Sequence, residues 1–136
     1  LDEFINKRNI TLSKSTNIYF KEINSIKLIN DKKKYDLIWI DGAHGYPTVC
    51  IDIINSLNLI SDNGLILCDD VYTNKDYSVD HSMYQSSATI ETLKELKKVN
   101  LINFKLIYKR LNPENNCLKS ERKFVAIFKK NESTEL

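Results

Sequence analysis

The chain has 136 residues, enough for one domain with a hydrophobic core and too few for two. Its hydrophobic fraction of 42% and charged fraction of 28% are those of an ordinary soluble globular protein. A net charge of +2 is too small to indicate nucleic acid or an acidic membrane as a partner. No apolar stretch approaches the roughly 20 residues that span a bilayer, and no signal peptide is visible. The three cysteines are unpatterned, so we expect a cytoplasmic protein without disulfides or a cysteine-based zinc site.

The first thirty residues carry weak structural signals. Apolar side chains among residues 1–16 predict one face of a short helix. Asn17–Phe20 is a short run typical of a β-strand, and the apolar residues of Ile23–Asn30 predict one or two helical turns. These weak elements precede a much clearer pattern.

A strand, a helix and a second strand follow one another in the middle of the chain. Tyr35–Gly42 contains four consecutive apolar residues and ends at Asp-Gly, which predicts a strand buried on both faces. Pro47 suits the first turn of a helix. Apolar residues then recur at helical spacing, at Val49, Ile53, Leu57 and Ile60. After a turn at Asp62–Gly64, Leu65–Cys68 predicts a second buried strand, so the segment forms a right-handed βαβ unit of an α/β fold.

The C-terminal half predicts a loop, a helix and two further strands. Val71–Ser86 holds no regular period, which in a compact domain is typical of a lid or a binding loop. Residues 87–98 predict an amphipathic helix. Phe104–Tyr108 and Phe124–Phe128 predict an antiparallel strand pair that closes the sheet.

Three carboxylates follow the two central strands. Asp41 ends the first strand, and Asp69 and Asp70 end the second. The carboxyl ends of parallel strands meet at one edge of the sheet, where ligands bind in open α/β folds. Three unpaired carboxylates would repel one another, and a divalent cation with a preference for oxygen ligands, such as Mg²⁺, would remove that repulsion. The alternative, equally open on the residue pattern, is that one aspartate caps a helix and another bonds loop amides without a metal.

His44 follows Asp41 by three residues and is expected over the same edge of the sheet. A neutral imidazole there can take a proton from a substrate hydroxyl, because its pKa lies near working pH. The alternative is a loop histidine that bonds to the backbone. His81, in the long loop, is a second candidate for the base.

With these residues in view, Tyr35–Tyr72 resembles strand 4 through strand 5 of the class I S-adenosylmethionine-dependent methyltransferases. The resemblance is closest to a subgroup with an Ile-Asp-Gly-x-His-x-Tyr segment, a glycine before strand 5 and an acidic pair after it. The matching positions are Asp41, His44, Tyr46, Gly64, Asp69 and Asp70. That subgroup is similar to the metal-dependent sugar and natural-product O-methyltransferases. The resemblance implies a Rossmann-like fold, mostly a parallel sheet with an antiparallel final strand.

The same resemblance implies cofactors, an acceptor and site residues. S-adenosylmethionine and Mg²⁺, or another divalent cation, are the implied cofactors, and the implied acceptor is a hydroxyl of a small molecule. The implied metal ligands are Asp41, Asp69 and Asp70. His44 takes the position of the catalytic base, and Ser25 falls where the family contacts the adenine end of the cofactor. The residues implied near the methionine part of the cofactor are Asp41, Gly42 and Ala43.

One family feature has no counterpart in this sequence. The Gly-rich turn after strand 1 and the acidic residue after strand 2 are both missing, and the three glycines form no Gly-x-Gly. Residues 1–136 are therefore expected to form a single partial domain, from strand 3 onward, without strands 1 and 2. Such a domain would expose the edge of a central strand. The expected protein partner is a missing N-terminal segment or another copy in a homo-oligomer.

The main alternative function is a non-catalytic methyltransferase-like fragment that acts as an interaction module, which the missing glycine turn favours. A nucleotide hydrolase would need a Gly-x-x-x-x-Gly-Lys-[Ser/Thr] loop, and the sequence has none. An antiparallel closing pair fits a phosphoacceptor receiver domain badly. Methylation of base amines is disfavoured because its motif places prolines and an aromatic residue where this chain has Gly42, Ala43 and His44.

Overall fold

Helices and strands alternate along the chain in a computed structural model that describes residues 2–73, 86–109 and 123–131. The elements are α1 (Asp2–Ser13), a 3-10 helix (Ser25–Asn30), β1 (Tyr35–Ile40), α2 (Thr48–Leu59), β2 (Ile60–Tyr72), α3 (Ala88–Lys98), β3 (Ile102–Lys109) and β4 (Lys123–Lys130). The predicted N-terminal helix, the short helical turn after it and the two amphipathic helices are all confirmed. No helix in the described ranges is long and apolar enough to cross a membrane.

The four described strands form one sheet in the order β1-β2-β4-β3. β1 pairs with β2 in parallel, with Ile40 opposite Cys68, so the predicted βαβ unit is confirmed. β4 runs antiparallel to both of its neighbours, β2 and β3. Three strands therefore run in one direction and the final strand in the other, as predicted for the fold, and the predicted antiparallel closing pair is confirmed.

The hydrophobic core lies on one face of this sheet, beneath α2 and α3. The apolar stripe of α2, at Val49, Ile53 and Leu57, is buried there, as the helical spacing predicts. The strand residues that contact the two helices all point to the same face of the sheet, as alternate residues of a strand do. They are Ile40, Ile66, Cys68, Ile102, Ala126 and Phe128. The core accordingly joins all four strands to both helices.

The opposite face of β1 is exposed, which contradicts the prediction of a strand buried on both faces. Leu37 is 61% exposed and Trp39 is 53% exposed. No helix of the described ranges packs against this face, since α1 buries none of its residues. A continuous apolar run is typical of a strand whose two faces are both covered by helices. The apolar run alone does not show whether those helices are present, because they come from other parts of the fold.

Asn17–Phe20 does not form the predicted strand, and Tyr19 is 92% exposed. A strand needs a neighbour to receive its backbone hydrogen bonds, and no described strand lies beside this segment.

The segment Asp62–Gly64, predicted as a turn before the second strand, lies inside β2. There the pairing slips from Tyr35 opposite Ile60 to Leu37 opposite Leu65.

Part of the predicted loop and its candidate residues lie outside the described residues. The stretch 74–85 is not described, and it contains His81, the second candidate for the base.

Candidate functional site

A cleft of about 400 Å³ lies along β1, between that strand, the 3-10 helix and α2. Its lining includes Ser25 from the 3-10 helix and Asp41 and Gly42 from the segment that leaves β1. These are three of the four residues that the resemblance implies for cofactor binding. The fourth, Ala43, is not among the lining residues.

A polar stripe of α2 forms one wall of the cleft, and the sequence analysis missed it. The wall contains Asp52, Asn55 and Ser56, with Leu59 one turn further along. Asn55 is buried, and its side-chain Nδ2 donates to the carbonyl oxygen of Ser25 over 2.9 Å. The signal was present in the sequence, because these polar residues repeat at helical spacing beside the apolar stripe of the same helix.

Asp52 faces the segment that leaves β1. Its Oδ1 is buried and has no hydrogen-bond partner among the described residues. A β-carbon at position 42 would lie 3.6 Å from Asp52 Oδ2, in ordinary van der Waals contact, so Gly42 lies next to the carboxylate. A buried acceptor without a donor costs free energy, which makes this carboxylate a natural contact for a ligand with N–H groups or positive charge.

His44 is buried, only 6% exposed, and does not line the cleft. The sequence led us to expect it open to the edge of the sheet. Its Nδ1 has no hydrogen-bond partner in the described part of the chain. The structure thus gives His44 an unpaired ring nitrogen in a buried position, and its role as the base stays a prediction.

Asp69 and Asp70 lie within β2 rather than after its end. Between Cys68 and Val71 the pairing with β4 shifts by one residue, which is a β-bulge. Asp70 has a φ of 51°, in the left-handed region that aspartate tolerates better than most residues. Asp69 is buried, and its Oδ1 accepts a hydrogen bond from the Asp70 amide over 2.8 Å. The bulge thereby presents both carboxylates together, next to β4.

Two lysines neutralise this acidic pair. Lys109 Nζ lies 2.6 Å from Asp69 Oδ2 and 3.2 Å from Asp70 Oδ1, and Lys123 Nζ lies 2.7 Å from Asp70 Oδ2. The lysines end β3 and begin β4, and they stand opposite each other in the register of these strands. We refer to Asp69, Asp70, Lys109 and Lys123 as the lysine–aspartate cluster.

Asp70, Lys109 and Lys123 of the lysine–aspartate cluster have pKa values shifted in the directions expected of ion pairs. Burial by itself would raise the pKa of Asp70, but hydrogen bonds and charge from Lys123 and Lys109 outweigh it and lower that pKa. Hydrogen bonding to Asp69 is the main cause that raises the pKa of Lys109. For Lys123, burial is outweighed by the bond to Asp70, and the pKa is again raised.

The described residues do not form the predicted metal site of Asp41, Asp69 and Asp70. Among them no group of three or more histidine, cysteine, aspartate or glutamate side chains is arranged to hold a metal ion. Asp41 and Asp69 follow the paired residues Ile40 and Cys68 on adjacent strands, as predicted. The carboxylates of β2 turn to the lysines instead, and the repulsion that the metal was invoked to relieve is relieved by these ammonium groups.

The pKa of the Cys68 thiol is raised, and the negative charge at this end of the sheet contributes to the shift. Burial is the main cause that raises its pKa to about 12, and negative charge adds to the effect. The contributing carboxylates are those of Asp69, Asp52, Asp41 and Asp70. Carboxylates of the cleft and of the lysine–aspartate cluster therefore both act on one buried thiol.

This strand order, with a parallel βαβ unit and an antiparallel final strand, is the C-terminal part of the class I S-adenosylmethionine-dependent methyltransferase fold. Residues 6–71, just under half of the chain, match a family described as a methyltransferase domain, which confirms the resemblance to methyltransferases seen in the sequence. The resemblance to the metal-dependent subgroup stays a prediction. No curated protein sequence matches the chain.

Two solved structures share the fold. One, from Klebsiella pneumoniae and described as an O-methyltransferase, superposes with a TM-score of 0.55 at 12% identity, over 79% of this chain and 46% of that one. The other, the SAH-bound methyltransferase PaMTH1 of Podospora anserina, has a TM-score of 0.55 at 18% identity, over 92% of this chain and 55% of that one. The chain thus spans about half the length of the structures that it matches.

Proposed function

We propose that this chain is part of an S-adenosylmethionine-dependent O-methyltransferase that transfers a methyl group to a hydroxyl of a small molecule, such as a sugar or a natural product. The observation that carries the proposal is the cleft along β1, which is lined by Ser25, Asp41 and Gly42 and reaches the carboxyl end of a parallel strand. That is the edge at which open α/β sheets bind their ligands.

The residues of the cleft suit this cofactor. S-adenosylmethionine, when bound, supplies an electrophilic methyl group on a sulfonium and carries a second positive charge on its amino group. Asp41 and Asp52 provide negative charge at one end of the cleft, and the unpaired Oδ1 of Asp52 offers an acceptor. Gly42 lines the cleft and has no side chain to keep a ligand from the backbone there.

We assign the proton transfer to His44. A buried ring nitrogen without a partner is unfavourable unless another group completes its hydrogen bonding. Nδ1 is closed to solvent, so an acceptor hydroxyl would reach it only after the segment that carries His44 moved, and a neutral imidazole would then accept its proton. Binding and orientation of the two reactants would supply most of the remaining acceleration.

The proposed domain is partial. This chain covers only 46% and 55% of the two comparison structures, and β1 has no described neighbour on its outer side. We therefore propose that further polypeptide, supplied by a longer chain or by another copy, completes the sheet and the cofactor site beside β1.

The test is titration calorimetry of residues 1–136 with S-adenosylhomocysteine, comparing the wild type with Asp41→Asn. Asp36→Asn is the matched control, because Asp36 lies on β1, the strand that Asp41 follows, but does not line the cleft. Removing a charged partner from a binding site costs about tenfold or more in affinity, so Asp41→Asn should weaken binding by that factor. Asp36→Asn should bind as the wild type does.

Two outcomes would contradict the assignment of the cleft. One is a folded wild-type chain, verified by circular dichroism, that binds no S-adenosylhomocysteine either by itself or within a longer chain that completes the sheet beside β1. The other is binding that Asp41→Asn and Asp36→Asn leave equally strong, because it would place the cofactor elsewhere.

A second candidate function is a non-catalytic interaction module, and the exposed strand β1 favours it. Leu37 and Trp39 present apolar surface next to the outer edge of a sheet, a combination that promotes association. Sedimentation velocity separates the two candidates when read with the calorimetry. Self-association without cofactor binding supports the module, and cofactor binding supports the enzyme.

A further inference from the structure

The acidic pair Asp69 and Asp70, which lies within β2, is one of the features on which the resemblance to metal-dependent enzymes rests. We infer that Lys109 and Lys123 take the place of the divalent cation in this chain, so that Asp69 and Asp70 are a charge-compensated pair and not metal ligands. The inference concerns the site of the proposed function, but it is tested by metal binding, so its failure can be told apart from a failure of that function.

Every oxygen of the two carboxylates already has a partner. Asp69 Oδ1 accepts the Asp70 amide, and Asp69 Oδ2 accepts Lys109. Asp70 Oδ1 accepts Lys109 as well, and Asp70 Oδ2 accepts Lys123 at 2.7 Å. A metal ion bound here would have to share these oxygens with the ammonium groups or displace one of them.

The charges of the cluster balance without a cation. Two aspartates face two lysines, and the distances of 2.6 to 3.2 Å are those of charge-assisted hydrogen bonds. A divalent ion seated on the same oxygens would stand beside two ammonium groups of the same sign. In a partly buried site such like-charge contact is strongly unfavourable. The lysines therefore bind the carboxylate oxygens that a metal would need, and their charge also repels a metal ion.

The backbone holds the lysines in place. Lys109 and Lys123 are directly opposite each other on β3 and β4, and the bulge in β2 turns Asp70 toward them. Lys123 Nζ also lies 5.5 Å from the centre of the Tyr72 ring, a cation–π distance. The cluster therefore depends on the pairing of three strands, which a core packed against α2 and α3 stabilises.

The experiment is a titration of the 136-residue chain with Mn²⁺, followed by the paramagnetic broadening of backbone amide signals in NMR spectra. In the wild type, the amides of Asp69, Asp70 and Val71 should keep their signals at a stoichiometric amount of Mn²⁺. Selective loss of these signals, prevented by Asp70→Asn, would overturn the inference. Asparagine is the suitable replacement because it also tolerates the left-handed conformation at position 70.

A lysine variant gives the opposite expectation. Lys109→Gln with Lys123→Gln frees the carboxylates, so this variant should gain Mn²⁺ broadening at Asp69 and Asp70. The control is the double variant of two exposed lysines on the same strands, Lys105→Gln with Lys129→Gln, which should behave as the wild type does. If the folded cluster variant and the control show the same Mn²⁺ broadening at Asp69 and Asp70, the lysines are not the groups that exclude the metal. If the cluster variant does not fold, the wild-type titration alone decides.

Discussion

The side-chain amide of Asn55 donates to the backbone carbonyl oxygen of Ser25 over 2.9 Å, and this bond joins α2 to the 3-10 helix across the cleft. Two walls of the proposed cofactor site are thereby held by one buried side chain. Asn55 is only 2% exposed, so water cannot easily replace the bond.

The first prediction concerns this bond. Asn55→Ala should lower the free energy of unfolding by about 1–3 kcal/mol, because it removes a partly buried hydrogen bond and leaves its acceptor without a partner. Urea denaturation followed by circular dichroism measures the loss. Asn58→Ala is the matched control on the exposed side of the same helix, and it should change stability little. Faster amide exchange of Ser25–Asn30 in Asn55→Ala alone would locate the effect, and equal stability of both variants would contradict the prediction.

The second prediction concerns pH. The pKa of Asp70 is lowered in the folded chain, so its ion pairs contribute fully above the ordinary carboxyl value of 3.8. Their contribution is lost as the pH falls through the lower, folded-state pKa. The loss of stability below that ordinary value should therefore be less steep in Asp70→Asn than in the wild type, when urea midpoints are measured across the acid range. Asp62→Asn, at an exposed position of the same strand, serves as the control. Parallel pH profiles for the wild type and Asp70→Asn would exclude a stabilising role of these pairs.

The third prediction concerns the thiol of Cys68. Burial and nearby carboxylates raise its pKa from 9.0 to about 12, which lowers the thiolate fraction near neutral pH by about a thousandfold. Cys68 is also fully buried, so iodoacetamide should not modify it in the folded chain. Peptide mass spectrometry before and after unfolding in urea checks this. Modification of Cys68 at the same rate in both states would mean that this end of the sheet opens readily.

The parts of the fold that were predicted correctly follow from local sequence periods. The spacing of Val49, Ile53 and Leu57 depends only on the geometry of one helix, and the apolar runs that predict β1 and β2 as strands depend on neighbouring residues. The apolar run of β1 could not show which of its faces is covered, because coverage depends on elements far away in sequence. The exposure of Leu37 is the result.

The candidate site likewise contains residues that the sequence identified and residues that it did not. Asp41, Gly42 and Ser25 were identified by a motif and its resemblance, and they line one cleft. The lysine–aspartate cluster was not predicted, because its ion pairs join residues 40 and 53 positions apart in sequence. Only the register of β2, β4 and β3 brings those residues together, and that register depends on cross-strand packing that a single sequence does not reveal.

The last prediction concerns Gly64, in the irregular part of β2. A β-carbon here would lie 2.6 Å from Ile60 Cγ1 and 2.7 Å from Ile60 Cδ1, closer than such atoms approach. Ile60 is buried and cannot move aside freely, so Gly64→Ala should destabilise the chain by about 1–3 kcal/mol through overpacking. Gly45→Ala is the matched control, because a β-carbon there has no heavy atom within 4 Å. Thermal unfolding should therefore show a lower Tm for Gly64→Ala and nearly no change for Gly45→Ala. If Gly64→Ala unfolds at the wild-type temperature, the slip of register between β1 and β2 is not what requires a glycine.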